Sequence, residues 1–294
     1  MKKVLLTGGS GFIGRNILES ELAQNYEIVA PAHAELPLED TAAVDEYFLH
    51  KEFDVVLHAA TKPGHRNAKD LNNLFYTNVR MFENLDRHKD KFGRFINFGS
   101  GAIYDVAQNN AGVTENEIFS NMGKDEHSFC KYVIAKQIQN LDNFVDLNIF
   151  GIFGKYEDYA IRFISNACCK AVFGLPITLR QNRRFSYLDV RDLPTILKVF
   201  IEENPLYKSY NIVPDGYVEL QNIAELVRKI SGKDLKIKIE KSGYGLDYYG
   251  SNQRLKAEFP NVKFMDFGQS VHDLYEYYEQ NREKLDVNLL LEDK

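Results

Sequence analysis

The sequence predicts an α/β fold: a doubly wound parallel sheet with a smaller mixed α/β unit in the C-terminal part. Short apolar runs alternate with helical patterns through the first half, which is typical of βαβ units. Runs such as Val4-Leu5-Leu6 and Val55-Val56-Leu57 are apolar on both faces, as expected for strands covered by helices on both sides. A glycine-rich turn directly follows the first of these strands.

The elements of the first half follow from these periodicities. The predicted strands are short and apolar: Lys3–Thr7, Glu27–Ala30, Val55–Ala59, Phe95–Phe98 and Asp146–Phe150. The predicted helices between them are Ile13–Gln24, Ala42–His50, Leu71–Lys89 and Ser128–Leu141. We therefore predict a dinucleotide-binding domain over residues 1–155.

The pattern changes in the second half, where helices mix with short strands. The predicted helices are Ala160–Val172, Leu193–Glu203 and Leu220–Ser231, and the predicted strands are Ile177–Leu179, Tyr210–Val213 and Leu235–Ile239. We predict that residues 156–294 form mainly a substrate-binding subdomain, with returns to the first domain near 185–213. Open α/β folds bind ligands at the carboxyl ends of the strands, which this subdomain would cover.

Composition limits the classes of function. The chain has 294 residues, 44% of them hydrophobic and 27% charged, as in ordinary globular proteins. A net charge of −6 gives no general attraction to nucleic acid or to an anionic membrane, so we expect neither as a partner. Three cysteines in no zinc-binding spacing fit a reducing compartment. The same spacing leads us to expect no metal site. No signal-peptide core precedes the first strand, so we expect a cytoplasmic protein.

The first motif is the turn from Thr7 to Gly14, Thr-Gly-Gly-Ser-Gly-Phe-Ile-Gly. Gly8 allows a sharp turn from strand to helix, Gly11 removes a side chain where a pyrophosphate approaches the backbone, and Gly14 allows close helix–strand packing. Phe12 and Ile13 begin the helix whose N-terminal N–H groups would meet the phosphates. The turn therefore predicts a bound nicotinamide dinucleotide, NAD or NADP, rather than a glycine-rich turn without a ligand.

The choice of dinucleotide is less defined. The second strand ends in Ala30-Pro31-Ala32-His33, which offers neither an acid for the ribose hydroxyls of NAD nor an arginine for the phosphate of NADP. His33 could lie near the adenosine ribose or simply be solvated. Arg15, just past the turn, is a candidate for the phosphate, and on this basis the interpretation leans slightly to NADP.

A Tyr132-x-x-x-Lys136 pair falls on a predicted helix, where a spacing of four places both side chains on one face. A neighbouring ammonium lowers the pKa of a phenol from its usual value of about 10, so that Tyr132 could exchange a proton with a substrate hydroxyl. Spacing alone is weak, because Tyr47-x-x-x-Lys51 also exists. Ser100, after a central strand, is a candidate to orient the reacting oxygen, or else forms a Ser-Gly turn.

Together these motifs resemble the extended short-chain dehydrogenase/reductases, the NAD-dependent epimerase/dehydratase family that acts on nucleotide sugars. The resemblance implies a Rossmann fold, a catalytic set of Ser100, Tyr132 and Lys136, and a lysine that also holds the nicotinamide ribose. It further implies cofactor contacts that lie along the first half of the chain: Leu38, Asp40 (adenine), His58, Ala59, Ala60 and Asn78. Later segments, Arg184–Asp192 and Tyr210-Asn211-Ile212, match the family's order as well.

Departures from the family's pattern narrow the function. Gly101-Ala102 stand where the dehydratases carry Asp-Glu, so 4,6-dehydration is not expected. Val133 and Ala135 stand where Gly and Ser are frequent beside the tyrosine. We expect Gly101 and Arg184 to contact the substrate, Arg184 because its planar fork suits a pyrophosphate.

The resemblance favours a nucleotide-sugar epimerase or 4-keto reductase that moves a hydride between NAD(P) and a sugar carbon, normally C4. The alternative is a non-catalytic, NAD(P)-binding regulatory protein of the same fold. The partner of the enzyme would be a nucleoside diphosphate sugar. The helices Leu71–Lys89 and Ser128–Leu141 would pair across a two-fold axis, so a homodimer is expected.

Overall fold

The computed structural model describes residues 1–64, 67–68 and 70–291. Its strands are, in chain order, β1 Lys3–Thr7, β2 Glu27–Val29, β3 Phe53–His58, β4 Phe92–Ser100, β5 Asn110–Val113, β6 Phe144–Ile149, β7 Gly151–Phe153, β8 Ile177–Asn182, β9 Arg184–Phe185, β10 Tyr187–Asp189, β11 Ser209–Ile212, β12 Val218–Glu219, β13 Ile237–Tyr244 and β14 Tyr248–Gly250. Its α-helices are α1 Phe12–Leu18, α2 Leu22–Asn25, α3 Thr41–Phe48, α4 Leu74–Asp86, α5 Glu126–Ile138, α6 Phe163–Val172, α7 Leu193–Glu202, α8 Leu220–Ser231, α9 Gln253–Glu258, α10 Phe267–Gln280 and α11 Asn288–Leu291. Short 3₁₀ turns occupy Lys89–Lys91, Gly101–Tyr104, Glu115–Glu117, Val190–Asp192 and Arg282–Lys284.

A six-stranded parallel sheet organises the first half, in the order β11-β6-β4-β3-β1-β2. Successive strands are added on one side of β1 (β2) and then on its other side (β3), so the strand order reverses between β1 and β3. Open α/β sheets form a crevice for ligands at such a position. Each strand is covered on both faces. One core contains Leu6, Ile96 and Leu197, and the other contains Leu5, Phe82 and Phe95. The predicted doubly wound α/β fold is confirmed.

The second half adds smaller sheets and a separate core. Strand β14 lies between β5 and β9, β8 pairs with β13, and β7 pairs with β10. Helices α6, α8 and α10 bury a core that includes Cys168, Cys169, Val227 and Leu274. Strand β11, within the segment predicted to return, joins the main sheet beside β6. The domain limits themselves stay a prediction.

The predicted helix Ile13–Gln24 is divided in the structure, and this is a correction. Helix α1 ends at Leu18, and α2 begins at Leu22. Between them the Ser20 hydroxyl donates to Ile17 O (2.7 Å) and accepts from Leu22 N (3.2 Å). Such local bonds by serine compete with the helical pattern and end a helix.

Among the described residues, no helix is long and apolar enough to cross a membrane. The cytoplasmic location stays a prediction.

Candidate functional site

The glycine turn lies at the reversal point of the main sheet. Gly8 has φ +73°, in the left-handed region that favours glycine. A Cβ on Gly8 would lie 2.7 Å from the backbone N of Ala60, and a Cβ on Gly14 would lie 2.6 Å from Gly9 Cα. Gly8 and Gly14 therefore allow β1, α1 and the end of β3 to approach more closely than side chains permit.

Gly11 differs from these two glycines. A Cβ built on it would meet one neighbouring atom within 4 Å, Gly8 O at 3.3 Å, so it would project into open space in front of the turn. Phe12 and Ile13 turn the other way and pack against the core. The turn thus presents bare backbone to open space at Gly11, and it fits the pyrophosphate of a dinucleotide.

The end of β3 forms the neighbouring wall of the crevice. His58 Nδ1 lies 2.9 Å from Thr7 Oγ1, which also accepts from Ala60 N at 3.2 Å. Burial and, less strongly, the charge of Lys131 lower the pKa of His58 to about 3, so the imidazole is neutral at pH 7. These bonds fix Ala59 and Ala60 next to the glycine turn.

Asn78 holds the loop that follows β3. Its side-chain oxygen accepts from Lys62 N at 2.8 Å, and its amide donates to Lys62 O at 3.1 Å and to Leu74 O at 3.0 Å. Asn78 therefore shapes the crevice wall through the loop backbone, and its contact with the cofactor stays a prediction.

The predicted adenosine contacts lie after β2. His33 is 74% exposed and lies 3.3 Å from Glu39. Leu38 is buried in the core, and the Asp40 carboxylate accepts from the first N–H groups of α3 (3.0 and 3.2 Å), which is the work of an N-cap. Glu35, which the sequence patterns did not single out, accepts from Ala32 N at 2.7 Å and places a carboxylate at the end of β2.

Ser100 ends the central strand β4 at the same edge of the sheet. Its hydroxyl accepts from Ala102 N at 3.1 Å, so it also caps the following turn. The buried Tyr248 lies beside it: burial raises the pKa of this phenol, and a hydrogen bond with Ser100 opposes the shift. A Cβ on Gly101 would lie 2.7 Å from the Tyr248 oxygen. Tyr248 is distant in sequence, and no pattern indicated it.

Tyr132 and Lys136 share one face of α5, as their spacing predicts, but this face meets Phe119. The Tyr132 ring packs edge-on against Phe119 with centroids 5.4 Å apart, and Lys136 Nζ lies 4.0 Å from the centroid of the same ring. In the described part of the chain, no hydrogen bond or ion pair joins either side chain to Ser100. The catalytic role of Tyr132 and Lys136 thus stays a prediction without a structural contact that supports it.

A different pair on α5, His127 and Lys131, contacts the end of β4 and the loop after β3. Lys131 Nζ donates to Phe98 O at 3.0 Å, at the carboxyl end of β4. His127, one turn earlier, lies against the loop after β3: its Cβ is 3.7 Å from a Cβ built on Gly64. The sequence contains one signal for this pair: His127 and Lys131 have the same spacing of four residues as Tyr132 and Lys136.

A basic cavity of about 760 Å³ opens in the second half. Its cationic lining residues are Lys170, Arg180, Arg183, Lys238 and Lys241. The predicted Arg184 does not line this cavity. It lies 3.6 Å from Asp247 and beside the rings of Tyr217 and Tyr244, whereas its neighbour Arg183 points inward.

Comparison with known proteins identifies similar sequences and folds. Residues 4–213 match the family model described as the NAD dependent epimerase/dehydratase family. The chain is 27% identical over 171 residues to a GDP-L-fucose synthase of Azorhizobium caulinodans, covering 53% of this chain and 54% of the relative. It is 31% identical over 138 residues to a GDP-L-colitose synthase of Yersinia pseudotuberculosis, covering 46% and 44%. The matches thus span about half the length of these relatives.

The solved structure of a GDP-mannoheptose C4 reductase from Campylobacter jejuni with NADP bound superimposes with a TM-score of 0.79. The match has 18% identity and covers 95% of this chain and 98% of the other. At this identity the likeness shows the fold alone.

Proposed function

The chain belongs to the NAD dependent epimerase/dehydratase family, and from this premise we propose that it is a nucleotide-sugar epimerase or 4-keto reductase. It moves a hydride between NAD(P) and a sugar carbon, C4 in this proposal. The observation that carries the proposal is the crevice itself: the bare glycine turn after β1 and the Ser100 hydroxyl after β4 open at the same edge of one sheet.

The cofactor would lie across this edge. Gly8, Gly11 and Gly14 leave room for its pyrophosphate, and His58-Ala59-Ala60 form the wall towards the nicotinamide end. When bound, the dinucleotide supplies or accepts the hydride. Ser100 is placed to donate a hydrogen bond to the oxygen on the reacting sugar carbon, which favours charge development there.

The basic cavity suits the nucleoside diphosphate of the substrate. Arg183 lines it, whereas Arg184 does not. The Nε of Arg183, like that of Arg184, is buried without a hydrogen-bond partner among the described residues. An unpaired buried guanidinium nitrogen is costly unless a ligand supplies the acceptor. A pyrophosphate would do so, and the GDP-sugar relatives make a guanosine nucleotide the first candidate.

For the dinucleotide we propose NADP, with Arg15, just past the glycine turn, as the contact for its 2′-phosphate. Two local features define the test. Arg15 stacks on Tyr156, with its guanidinium carbon 3.5 Å from the ring centroid, and the Glu35 carboxylate would repel a 2′-phosphate. The ratio of the dissociation constants for NADPH and NADH measures the balance.

We also propose a homodimer formed through α4 and α5. The two helices pack together through stacked Phe75 and Phe129, 4.9 Å between centroids, and Tyr76 on α4 is 58% exposed. Light scattering on the purified protein should give twice the chain mass of 33.9 kDa.

The non-catalytic alternative is favoured by one observation, the packing of Tyr132 against Phe119 and not beside Ser100. It predicts NAD(P) binding without turnover.

The experiment that separates these functions uses the purified full chain. NADPH and NADH binding is measured by fluorescence, and hydride transfer is then followed with GDP-L-fucose, GDP-mannose and UDP-glucose as donors to NADP⁺ or NAD⁺. We expect binding and turnover of a GDP-sugar, with turnover reduced about 100-fold in Ser100→Ala at unchanged NADPH affinity. Binding without turnover of any sugar would support the regulatory alternative.

A further inference from the structure

Lys131 on α5 places a positive charge at the edge of the sheet where the crevice opens. Its Nζ is anchored 3.0 Å from Phe98 O, two residues before Ser100. Its charge also lowers the pKa of His58 at the end of β3. The ammonium group therefore lies by the carboxyl ends of both β3 and β4, next to the crevice between β1 and β3.

His127 lies one helical turn before Lys131 and borders both halves of the molecule. On one side it approaches Gly64, in the loop after β3. On the other side the charge of Arg162, the residue that precedes α6, acts on its imidazole. His127 therefore lies between the cofactor-side loop and the second half, where a substrate would have to enter.

The charged groups that face His127 come from three places. Burial and then Lys131 lower the pKa of His127 to about 4, Asp125 at the start of α5 opposes this shift, and Arg162 adds to it. The imidazole is thus unprotonated at neutral pH and can accept a proton.

The residues that follow His127 match the family's pattern around its catalytic tyrosine better than those that follow Tyr132. The small residues Ser128 and Cys130 stand one and three places after His127, and both are fully buried. In the family, Gly and Ser are frequent one and three places after the tyrosine. Ser128 and Cys130 are similarly small, whereas Val133 and Ala135, at the same distances after Tyr132, depart from this pattern.

We propose that His127 is the proton-transfer residue of this crevice and that Lys131, whose ammonium group lies at the carboxyl end of β4, is a positioning residue beside it. This inference rests on the proposed function. In the oxidative direction the sugar C–H bond breaks and its electron pair leaves with the hydrogen to the nicotinamide. The hydroxyl proton passes to the free ring nitrogen of His127, and the O–H electron pair forms the carbonyl. In reduction the same steps run in reverse. The small fraction of His127 that is protonated at neutral pH gives its proton to the carbonyl oxygen as the hydride arrives.

The test compares four proteins: wild type, His127→Gln, Tyr132→Phe and, as a matched control, His272→Gln. His272 lies on α10 in the second half, where its nearest acid is Glu276 at 3.9 Å. Single-turnover oxidation of the GDP-sugar that the wild type uses is measured with NADP⁺, alongside NADPH affinity. We expect His127→Gln to lose about 100-fold or more in rate with NADPH affinity within about threefold (under 1 kcal/mol), while His272→Gln matches the wild type.

A second readout does not depend on activity. Histidine ring signals are titrated by NMR in the wild type and in Lys131→Met, and the signal of His127 is assigned by its loss in His127→Gln. The pKa of His127 should lie well below the usual 6.5 or so and should rise in Lys131→Met, because a neighbouring positive charge has been removed.

The outcomes separate the two proposals. A wild type that binds NADPH and oxidises no sugar overturns the proposed function and this inference with it. An active wild type whose rate survives in His127→Gln but falls in Tyr132→Phe overturns the inference alone. A His127 pKa that is unchanged in Lys131→Met also overturns it.

Discussion

Replacement of Gly11 by alanine should weaken cofactor binding without weakening the fold. Gly11 has φ −79°, which alanine adopts freely, and its Cβ would meet only Gly8 O at 3.3 Å. Replacing a glycine at such a position stabilises a protein by about 0.4–1 kcal/mol through the unfolded chain. The added methyl group would instead occupy the space assigned to the pyrophosphate, at a cost of about 1–3 kcal/mol in binding.

Gly14→Ala is the matched opposite case. Its Cβ would lie 2.6 Å from Gly9 Cα, and backbone atoms cannot move aside as a flexible side chain can. We expect the free energy of unfolding to fall by about 1–3 kcal/mol. For a chain of this size each kcal/mol lowers Tm by about 2–4 °C.

The assay for both variants is thermal unfolding of the apo protein together with fluorescence titration by NADPH. Gly11→Ala should retain or raise Tm while its Kd for NADPH rises about 5- to 150-fold. Gly14→Ala should lower Tm. If Gly11→Ala binds NADPH as the wild type does, the pyrophosphate does not lie at this turn, and the cofactor assignment is refuted.

Three further results are expected. Arg183→Ala should raise the Kd for GDP about tenfold, through loss of roughly 1.5 kcal/mol of charge-assisted hydrogen bonding. Arg184→Ala should change this Kd by less than threefold (below about 1 kcal/mol). Calorimetric titration of both variants with GDP measures the difference. Glu35→Gln should raise the affinity for NADPH relative to NADH, since it removes a carboxylate that contacts Ala32 N, near the proposed position of the 2′-phosphate. An unchanged ratio would place the ribose elsewhere. Burial raises the pKa of Glu157 to about 8, so the folded chain binds one proton more than the unfolded chain between about pH 4.5 and 8, and stability falls as pH rises through this window. Denaturant unfolding should show this fall in the wild type and a smaller one in Glu157→Gln; parallel curves would contradict the shift.

The sequence predicted the main sheet well because its strands are short apolar runs between helical periodicities. Strand β1 was predicted over Lys3–Thr7, as observed, and the glycine turn after it needs glycine for steric reasons that local sequence contains. The prediction missed the break between α1 and α2, because it depends on two local hydrogen bonds of one serine, Ser20.

The acid–base residues could not be settled from spacing. Two pairs on α5 have the same spacing of four residues, and Tyr132/Lys136 lies five residues after His127/Lys131. Five residues turn a side chain by a net angle of about 140° around the helix, so the two pairs lie on different faces. Only the packing of Phe119 on one face and the contact with Phe98 O on the other distinguish them.

The substrate arginine poses the same problem on an extended segment. Neighbouring side chains there point to opposite sides, and which of Arg183 and Arg184 faces the cavity depends on β14 and β12, which pair with β9 from distant parts of the chain. Tyr248 reaches Ser100 through the same tertiary pairing.

The most direct test of hydride transfer in this crevice follows the hydrogen itself. The protein is incubated with NADPH deuterated at the transferring carbon and with the 4-keto form of the GDP-sugar that it uses, and the product is analysed by mass spectrometry. Deuterium on the sugar carbon, greatly reduced in Ser100→Ala and in His127→Gln, is the predicted result. A wild-type product without deuterium would contradict hydride transfer at this site.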